Sequence, residues 1–332
     1  MKFRDHFTLP LSSSELPLTL ISMEEWCLIT TTGSDAISYM QGQITSDINQ
    51  LHVNHYCQSA HCNAKGKMLT NLLLFFYKGH LSWIIRNSVR NIQIAALKKY
   101  AIFSDFNLTA LDRTVILGIA GHEAKSTLNQ IFPVLPSIHC SVVENTSNNT
   151  LLLYFPLPRD RFLIITNLSR AKKLKQQLSQ RFIIKFNNSK QWLALDIEAG
   201  YPVLDQDNSG QFFPQAANLH YMKAISWTKG CYIGQEMISR VQYRGINKRA
   251  LYMLVFNSIE LPSSNYVIEM KCSFDSWTKC GKVLAACRVH NGQIWVQAIL
   301  DYNIPSGTEL RITGCQDLIY MKSFSYKEEI NA

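Results

Sequence analysis

The chain contains 332 residues, of which 47% are hydrophobic, and it carries a formal net charge of +9. This length and apolar content are enough for a large buried core, and they predict two or three domains. The longest apolar run, residues 72–77, is far shorter than the roughly 20 residues that a membrane helix needs. The composition therefore excludes a helical membrane protein, and we expect no membrane partner.

The N-terminal segment and the cysteines indicate the compartment. Residues 1–25 contain no apolar core long enough for a signal peptide. The nine cysteines are odd in number and scattered. They form no CxxC pair, and no histidine stands at metal-ligand spacing from them. We expect reduced thiols, a cytoplasmic location and no metal site.

The first part of the chain alternates strand patterns with helix patterns, which is typical of an α+β fold. A short helix is expected through Met40. A longer one is expected over residues 88–100, with Val89, Ile92 and Ala96 on its apolar face. The polar segment 145–150, NTSNNT, predicts an exposed loop. Strands are predicted at residues 25–31, 56–62, 69–77, 81–86, 115–120 and 161–166.

After Arg249 the pattern changes to short strand-like runs separated by Gly, Pro, Asn and Ser. Such runs without an intervening helix predict a small antiparallel β-barrel or sandwich. We therefore divide the chain into an α+β region at 1–245, made of two intertwined subdomains, and a C-terminal barrel at 246–332. The runs are residues 251–256, 282–289, 293–300 and 309–312.

The most informative segment is KGCYIGQEMISRVQYRGINKR, residues 229–249. Ile233, Met237 and Val241 recur every four residues, which predicts a helix that starts near Cys231. A helix N-terminus directs unpaired N–H groups and positive dipole charge at nearby atoms, and this favours a thiolate. The positive charge of Lys229 also favours the thiolate form of Cys231. The segment thus indicates a reactive thiol at Cys231 assisted by Lys229.

Two interpretations of Cys231 stay open at this stage. Most free cysteines pack as small hydrophobic residues, and that alternative applies here. Against it, Gly230 and Gly234 flank the cysteine, and paired glycines are typical of a close approach of backbone to another group.

The same region concentrates positive charge. Residues 223–249 contain six bases and one acid, Glu236, so more than half of the net charge lies in 27 residues. Such a run suits an anion, a phosphate or RNA, although a solvated helix face explains it equally well. The bases are Lys223, Lys229, Arg240, Arg244, Lys248 and Arg249.

Four sequence blocks together resemble the YgfZ family, folate-binding proteins related in fold to the glycine-cleavage T-protein, an aminomethyltransferase. The blocks span most of the chain in the expected order. Ile233 stands where bacterial members often carry Thr, which leaves the cysteine and both glycines in place. The blocks are YMQGQITSDINQL (39–51), AHCNAKGKM (60–68), QWLALDIEAGYPVLDQDNSGQFFPQAANL (191–219) and KGCYIGQE (229–236).

The resemblance implies a T-protein-like multi-domain fold and tetrahydrofolate or a derivative as the ligand. It also implies that Trp26 and Trp192 line the folate pocket, where an indole can stack on a flat pterin ring. The residue pattern alone favours core packing for both tryptophans. The implied role is that of an accessory factor that supports tRNA modification and the maintenance of iron–sulfur enzymes. Those enzymes, folate and tRNA are therefore the expected partners.

One departure from the T-protein bears on the reaction. Where that protein carries acidic residues after the glycine of the KGKM segment, this chain has Thr70 and Asn71, neither of which is a carboxylate base. Asp196 and Glu198, in the predicted helix that contains Trp192, are the carboxylates that could supply acidity instead, and Asp196 is the first candidate. We therefore expect no conventional aminomethyltransferase activity. Two alternatives remain, a folate-dependent one-carbon transferase and a basic RNA-binding module.

Overall fold

A computed structural model describes residues 8–264, 266–273, 276–302, 304–305, 307–313, 319–322 and 324. Both ends of the predicted domains, residues 1–7 and 325–332, lie outside the described residues. Within the described part, the chain forms three β-sheets and six α-helices.

The elements are numbered in chain order. The strands are β1 (Thr19–Ser22), β2 (Trp26–Thr32), β3 (Cys57–Cys62), β4 (Met68–Tyr77), β5 (His80–Arg86), β6 (Asn107–Ala110), β7 (Thr114–Ala120), β8 (Val142–Asn145), β9 (Thr150–Phe155), β10 (Arg161–Asn167), β11 (Lys185–Asn187), β12 (Arg249–Asn257), β13 (Val267–Ser273), β14 (Ser276–Arg288), β15 (Gln293–Asp301), β16 (Leu310–Ile312) and β17 (Tyr320–Lys322). The α-helices are α1 (Ala36–Gln41), α2 (Arg90–Tyr100), α3 (Ala124–Asn129), α4 (Leu168–Arg181), α5 (Ser189–Ala199) and α6 (Gln235–Tyr243).

The first sheet has the order β3-β4-β5-β2-β6, and all its neighbours are antiparallel. Helices α1 and α2 cover one face with a core around Met40 and Trp83. Val89 is buried as predicted, but the rest of the predicted apolar face is wrong by one residue, because Gln93 and Leu97 are buried while Ile92 and Ala96 are half-buried. Gln93 is buried because its side-chain oxygen accepts a hydrogen bond from the Trp83 indole at 2.9 Å.

The second sheet has the order β11-β1-β7-β10-β9-β8 and includes the first strand of the chain. Strand β1 pairs antiparallel with β7 and parallel with β11, whereas β2 belongs to the first sheet. The two sheets therefore interleave along the sequence. The predicted loop at 145–150 is the turn of the β8–β9 hairpin, with Asn149 in the left-handed region at φ 47°.

These two sheets pack face to face and bury a shared apolar core between them. Leu73 and Phe75 come from the first sheet, and Leu153 and Leu163 come from the second. Helices α3 and α4 cover the outer face of the second sheet through Leu128, Leu174 and other apolar residues. The α+β region is thus four layers deep, with helices outside and sheets inside.

The third sheet has the order β16-β13-β14-β15-β12-β17, and every pair in it is antiparallel. It curls so that both faces are buried. Leu254 and Val296 belong to an apolar cluster inside the curled sheet. Val255 and Trp295 lie on the other face and pack in the core shared with the α+β region. The predicted C-terminal antiparallel barrel is confirmed, whereas the division at residues 245/246 stays a prediction.

Helix α5 lies where the three sheets meet. Asn188 caps its N-terminus by accepting from the Lys190 N–H at 3.0 Å, and Gly200 ends it at φ 73°. Trp192 and Leu195 join the core between the first two sheets, while Leu193 and Ile197 join the core against the barrel. This almost fully buried helix therefore connects the two halves of the molecule.

None of the helices in the described ranges combines the length and apolar character that crossing a membrane requires. The same ranges contain no group of three or more His, Cys, Asp or Glu residues placed to hold a metal ion.

His61 generates a pH prediction. It lies on β3 with 1% exposure, and burial lowers its pKa to about 4 from an ordinary 6.5. The unfolded chain therefore binds more protons between pH 4 and 6.5, so stability is lost as the pH falls through this window. A shift of this size corresponds to on the order of 3 kcal/mol.

We expect urea denaturation to show this loss in the wild type and a smaller loss in His61→Gln. The matched control is His80→Gln, since His80 is exposed. Identical pH profiles for His61→Gln and the wild type would contradict the assignment.

Candidate functional site

Trp26 and Trp192 line one cleft between the first two sheets and the end of α5. The cleft encloses about 540 Å³ of space between atoms, counted to its open mouth. The cavity itself has a volume of about 60 Å³, and the remainder of this space opens to solvent. Its polar lining comes from Gln58, Asn71, Arg86 and Asp196, and its aromatic lining from Trp26, Phe155, Trp192 and Tyr201.

Trp26 is the more accessible of the two tryptophans. It begins β2, is half-buried, and carries the Arg86 guanidinium 4.4 Å from its ring centroid. Arg86 is held in turn by Glu25 at 2.8 Å and Asp205 at 2.9 Å. The ring orientation is thus fixed by an ion-paired arginine, which prepares a rigid aromatic surface.

Trp192 is a core residue with 2% exposure. Arg161 stands 4.4 Å from its ring centroid, and Phe155 meets it edge-on at 5.6 Å. On β7, a Cβ at Gly118 would come within 2.6 Å of the indole, so the strand presses directly on the ring. Trp192 therefore forms a fixed wall of the cleft.

Arg161 and Asp196 form a buried ion pair at the closed side of the cleft. Arg161 Nη2 donates to Asp196 Oδ1 at 2.6 Å, and Arg161 Nε donates to the Leu157 carbonyl at 2.8 Å. Burial raises the pKa of the Asp196 carboxyl, and Arg161 opposes that shift. The Arg161 Nη1 atom is buried and has no hydrogen-bond partner within the described part of the chain.

Arg161 was not among the predicted site residues. Its guanidinium is surrounded by the rings of Phe155, Trp192 and Tyr201 at 4.4 to 5.5 Å. The available signal was a single arginine at the start of the otherwise apolar strand RFLIIT. A charge in such a position requires a buried partner, which only the fold identifies as Asp196.

Thr70 and Asn71 bring no acid to the cleft. The Thr70 hydroxyl is buried and donates to the Asn71 carbonyl at 2.8 Å. The Asn71 amide lines the cleft and donates to the Pro202 carbonyl at 2.8 Å. Among the described residues that line the cleft, Asp196 is the only carboxylic acid.

Two further cavities adjoin the cleft along the surface, and we call this row of three adjoining cavities the groove. Gln58 and Tyr201 form a wall of both the tryptophan cleft and the next cavity along the surface. Tyr56, Cys57 and Lys223 then separate that cavity from a third one, which reaches Trp227 and Thr228. The groove therefore runs from the tryptophan cleft to the residue that precedes Lys229.

Lys229 anchors the loop that carries Cys231. It is 8% exposed, and its ammonium donates to the carbonyls of Gln41 at 2.6 Å, Ile44 at 3.0 Å and Ser46 at 2.8 Å. Burial lowers the pKa of Lys229 to about 8, and Asp47 opposes that shift. All three ammonium donors are thus used to fix the loop, and an assisting role toward Cys231 stays a prediction.

The predicted helix start near Cys231 is wrong, because α6 begins at Gln235. Gly234 precedes it in the left-handed region at φ 82°, so the helix cannot extend backwards through this residue. The buried face of α6 is formed by Ile238 and Val241. The positive end of the helix dipole therefore lies beyond Gly234 and not at Cys231.

Cys231 is exposed, which rules out the packing interpretation. The two flanking glycines serve different purposes. A Cβ at Gly234 would stand 2.6 Å from the Asn63 carbonyl oxygen and 2.9 Å from Gly66 Cα, so this position requires glycine. A Cβ at Gly230 would meet nothing within 4 Å, so Gly230 lies beside open space.

Known proteins resemble this chain in both sequence and fold. A family model described as "YgfZ, beta-barrel domain" matches residues 247–315. The chain is 46% identical over 302 residues to the "tRNA-modifying protein YgfZ" of Yersinia enterocolitica serotype O:8 / biotype 1B, covering 91% of this chain and 90% of that protein. It belongs to the YgfZ family. A second YgfZ protein, from Yersinia pseudotuberculosis serotype O:1b, is 45% identical over 303 residues, with the same 91% and 90% coverage.

The fold of this YgfZ-family chain is also that of the T-protein. The crystal structure of glycine cleavage system aminomethyltransferase T from Bartonella henselae superimposes with a TM-score of 0.74. The alignment covers 93% of this chain and 86% of that one, at 16% sequence identity. The predicted family and the T-protein-like architecture are both confirmed.

The close contact at Gly234 leads to a stability prediction. We expect Gly234→Ala to lower the free energy of unfolding by about 2 kcal/mol or more, because alanine is strained at this φ and collides with the 63–66 turn. Thermal unfolding should show a melting temperature lower by about 4 °C or more. Gly230→Ala is the matched control and should change stability by less than about 0.5 kcal/mol. Equal effects at both glycines would contradict this account.

Proposed function

We propose that this chain is a folate-binding accessory protein in tRNA modification, with a functional thiol at Cys231. The observation that carries the proposal is the groove, the row of three adjoining cavities between the tryptophan cleft and the anchored loop at 229–234. A ligand in the cleft and a reactant at the loop would share one surface of the protein.

The cleft chemistry fits a reduced folate. When bound, a folate supplies a flat pterin ring with hydrogen-bond donors on its edge. Trp26 offers a fixed aromatic face, and Asp196 places a carboxylate in the lining. Gln58 and Asn71 add amide groups. Such a mixture of apolar walls and a few polar groups is typical of cofactor pockets.

The groove offers a path for the acidic tail of a folate. Lys223 is exposed and borders the two cavities that continue from the cleft. A polyglutamyl tail would be attracted by this charge and by the surplus of Lys and Arg in the chain.

The loop at 229–234 holds Cys231 in a way that suits reaction with a large partner. Lys229 fixes one side of the loop, and the Ile233 N–H donates to the Gly42 carbonyl at 3.0 Å on the other. Gly230 and Cys231 stand exposed between these anchors. A rigidly held, accessible cysteine is able to react with or ligate a group on a partner without moving the backbone.

The tRNA assignment is supported by the relatives, which are named tRNA-modifying proteins. Family membership also underlies the proposal that the partners include iron–sulfur enzymes that act on tRNA. In this proposal, the folate cleft and Cys231 contribute to keeping those enzymes active in the cytoplasm.

A conventional aminomethyltransferase is the less favoured alternative. Proton transfer during methylene transfer requires a base near the folate, and strand β4 presents Thr70 and Asn71 there. Asp196 is committed to Arg161 at 2.6 Å. We therefore do not propose turnover of a methylene donor by this chain.

The folate site is tested through Trp26. Reduced folate should quench tryptophan emission, and Trp26→Ala should weaken binding several-fold, which corresponds to about 1 kcal/mol for one lost stacking surface. Trp277→Phe, on β14 of the barrel, is the matched control and should leave the affinity unchanged. Trp192→Ala is a poorer test, because truncating so buried a tryptophan costs about 3–5 kcal/mol of stability. Unchanged folate affinity in Trp26→Ala removes Trp26 from the site.

The thiol is tested by alkylation and complementation. Cys231 should react with N-ethylmaleimide before the buried cysteines, since burial raises the pKa of the Cys27, Cys62 and Cys287 thiols. Cys231→Ser should keep the fold and the folate affinity but fail to restore tRNA modification in a deletion strain. Cys272→Ser, which removes another exposed thiol, should restore it fully. Full restoration by Cys231→Ser would refute the functional thiol.

A further inference from the structure

Helix α6 presents an exposed basic face next to the Cys231 loop. Its buried side is formed by Ile238 and Val241. Arg240 and Tyr243, one turn apart, lie on exposed positions, and Arg244 follows directly. The helix has nine residues, so its ends are about 14 Å apart and its C-terminus lies within reach of anything bound at the loop.

Tyr243 is the unusual member of this surface. It is 73% exposed, although a tyrosine ring gains most by burial. Its ring meets the half-buried Trp227 edge-on, with centroids 6.2 Å apart. Trp227 and Lys223 line the same end of the groove. The two rings therefore form an open aromatic step at the edge of the groove.

Four exposed bases lie on the same two segments of the chain as these aromatic rings. Lys223, Arg240, Arg244 and Lys248 are exposed, and none of them forms a salt bridge with a described carboxylate. The acid on α6 is Glu236, in its first turn, at the opposite end from Tyr243. One or two bases would be enough to complement the helix dipole, and four around two aromatic rings exceed that need. We call Lys223, Trp227, Arg240, Tyr243, Arg244 and Lys248 the basic strip.

Exposed bases interleaved with aromatic rings match the chemistry of single-stranded nucleic acid. Lysine and arginine neutralise phosphates, and an unpaired base stacks on an aromatic face. Resting on the proposed role in tRNA modification, we infer that the basic strip holds an unpaired loop of the tRNA and stacks one base on Tyr243. RNA held there would lie beside the loop that exposes Cys231.

The test is the affinity of the full chain for an unmodified tRNA transcript, measured by fluorescence polarisation over a range of salt concentrations. Tyr243→Leu should weaken binding by about fivefold or more. A fivefold loss of affinity corresponds to about 1 kcal/mol, the lower end of the range for one lost base–aromatic stack. Tyr243→Phe keeps the ring and should stay within about twofold of the wild type. The double variant Arg244→Gln, Lys248→Gln should reduce the steepness of the log–log salt dependence by about 1.4, for two lost phosphate contacts.

Two control variants test whether a loss of tRNA affinity is specific to the basic strip or follows from removing any exposed base or any exposed ring. Lys172→Gln with Lys173→Gln removes two exposed bases from α4, and it should leave tRNA affinity almost unchanged. Phe103→Leu removes a ring that is 99% exposed beside Lys98 and Lys99, and it should also have little effect. An equal loss of affinity in either control would overturn the inference.

Two further outcomes would overturn it: no tRNA binding by the wild type at low salt, or wild-type affinity in Tyr243→Leu. Folate quenching and Cys231 labelling are measured on the same variants. If those two hold while the RNA results fail, the inference falls and the proposed function stands.

Discussion

The burial of α5 is the constraint on which the rest of the structure depends. Arg161 from the second sheet reaches Asp196 on this helix at 2.6 Å. From the barrel, the Gln297 amide donates to the carbonyls of Asp196 at 3.1 Å and Tyr201 at 2.7 Å, and its oxygen accepts from the Val203 N–H at 3.1 Å. Because these groups are buried, each bond left unmade would carry its full desolvation cost. The helix therefore fixes the positions of the sheets relative to one another, and with them the walls of the cleft.

The loop at 229–234 illustrates how one short motif combines two requirements. Lys229 and Gly234 are structural, since one satisfies three carbonyls and the other fits against the 63–66 turn. Gly230 and Cys231 face open space between them. Rigid ends and an accessible centre therefore hold the thiol at a fixed position while leaving it open to solvent.

The positively charged residues also divide into buried groups that hold the fold together and exposed groups. The buried cations, Arg161 and Lys229, are each satisfied by specific oxygen atoms and act within the fold. The exposed cations at the end of α6 and just after it, Arg240, Arg244 and Lys248, form no salt bridge with a described carboxylate. Arg86 stands between these two classes, because it is ion-paired to Glu25 and Asp205 and also lines the cleft beside Trp26. The net charge of the chain therefore says less about function than the burial of each charge.

The sequence by itself determined the family through the resemblance of four motif blocks. It also determined the α+β region, the C-terminal barrel and most of the strands, because apolar alternation and local turn residues encode them directly. It also singled out Trp26, Trp192 and Cys231, but not their surroundings. The start of α6 depended on the positive φ of Gly234, which packing against Gly66 imposes from more than 160 residues away. The Arg161–Asp196 pair and the three carbonyls around Lys229 are likewise contacts between separate segments, and Gln93 is buried by its hydrogen bond to Trp83 on the preceding strand β5. Only the tertiary structure decided them, since a buried polar group takes whichever partner the fold brings within hydrogen-bond distance.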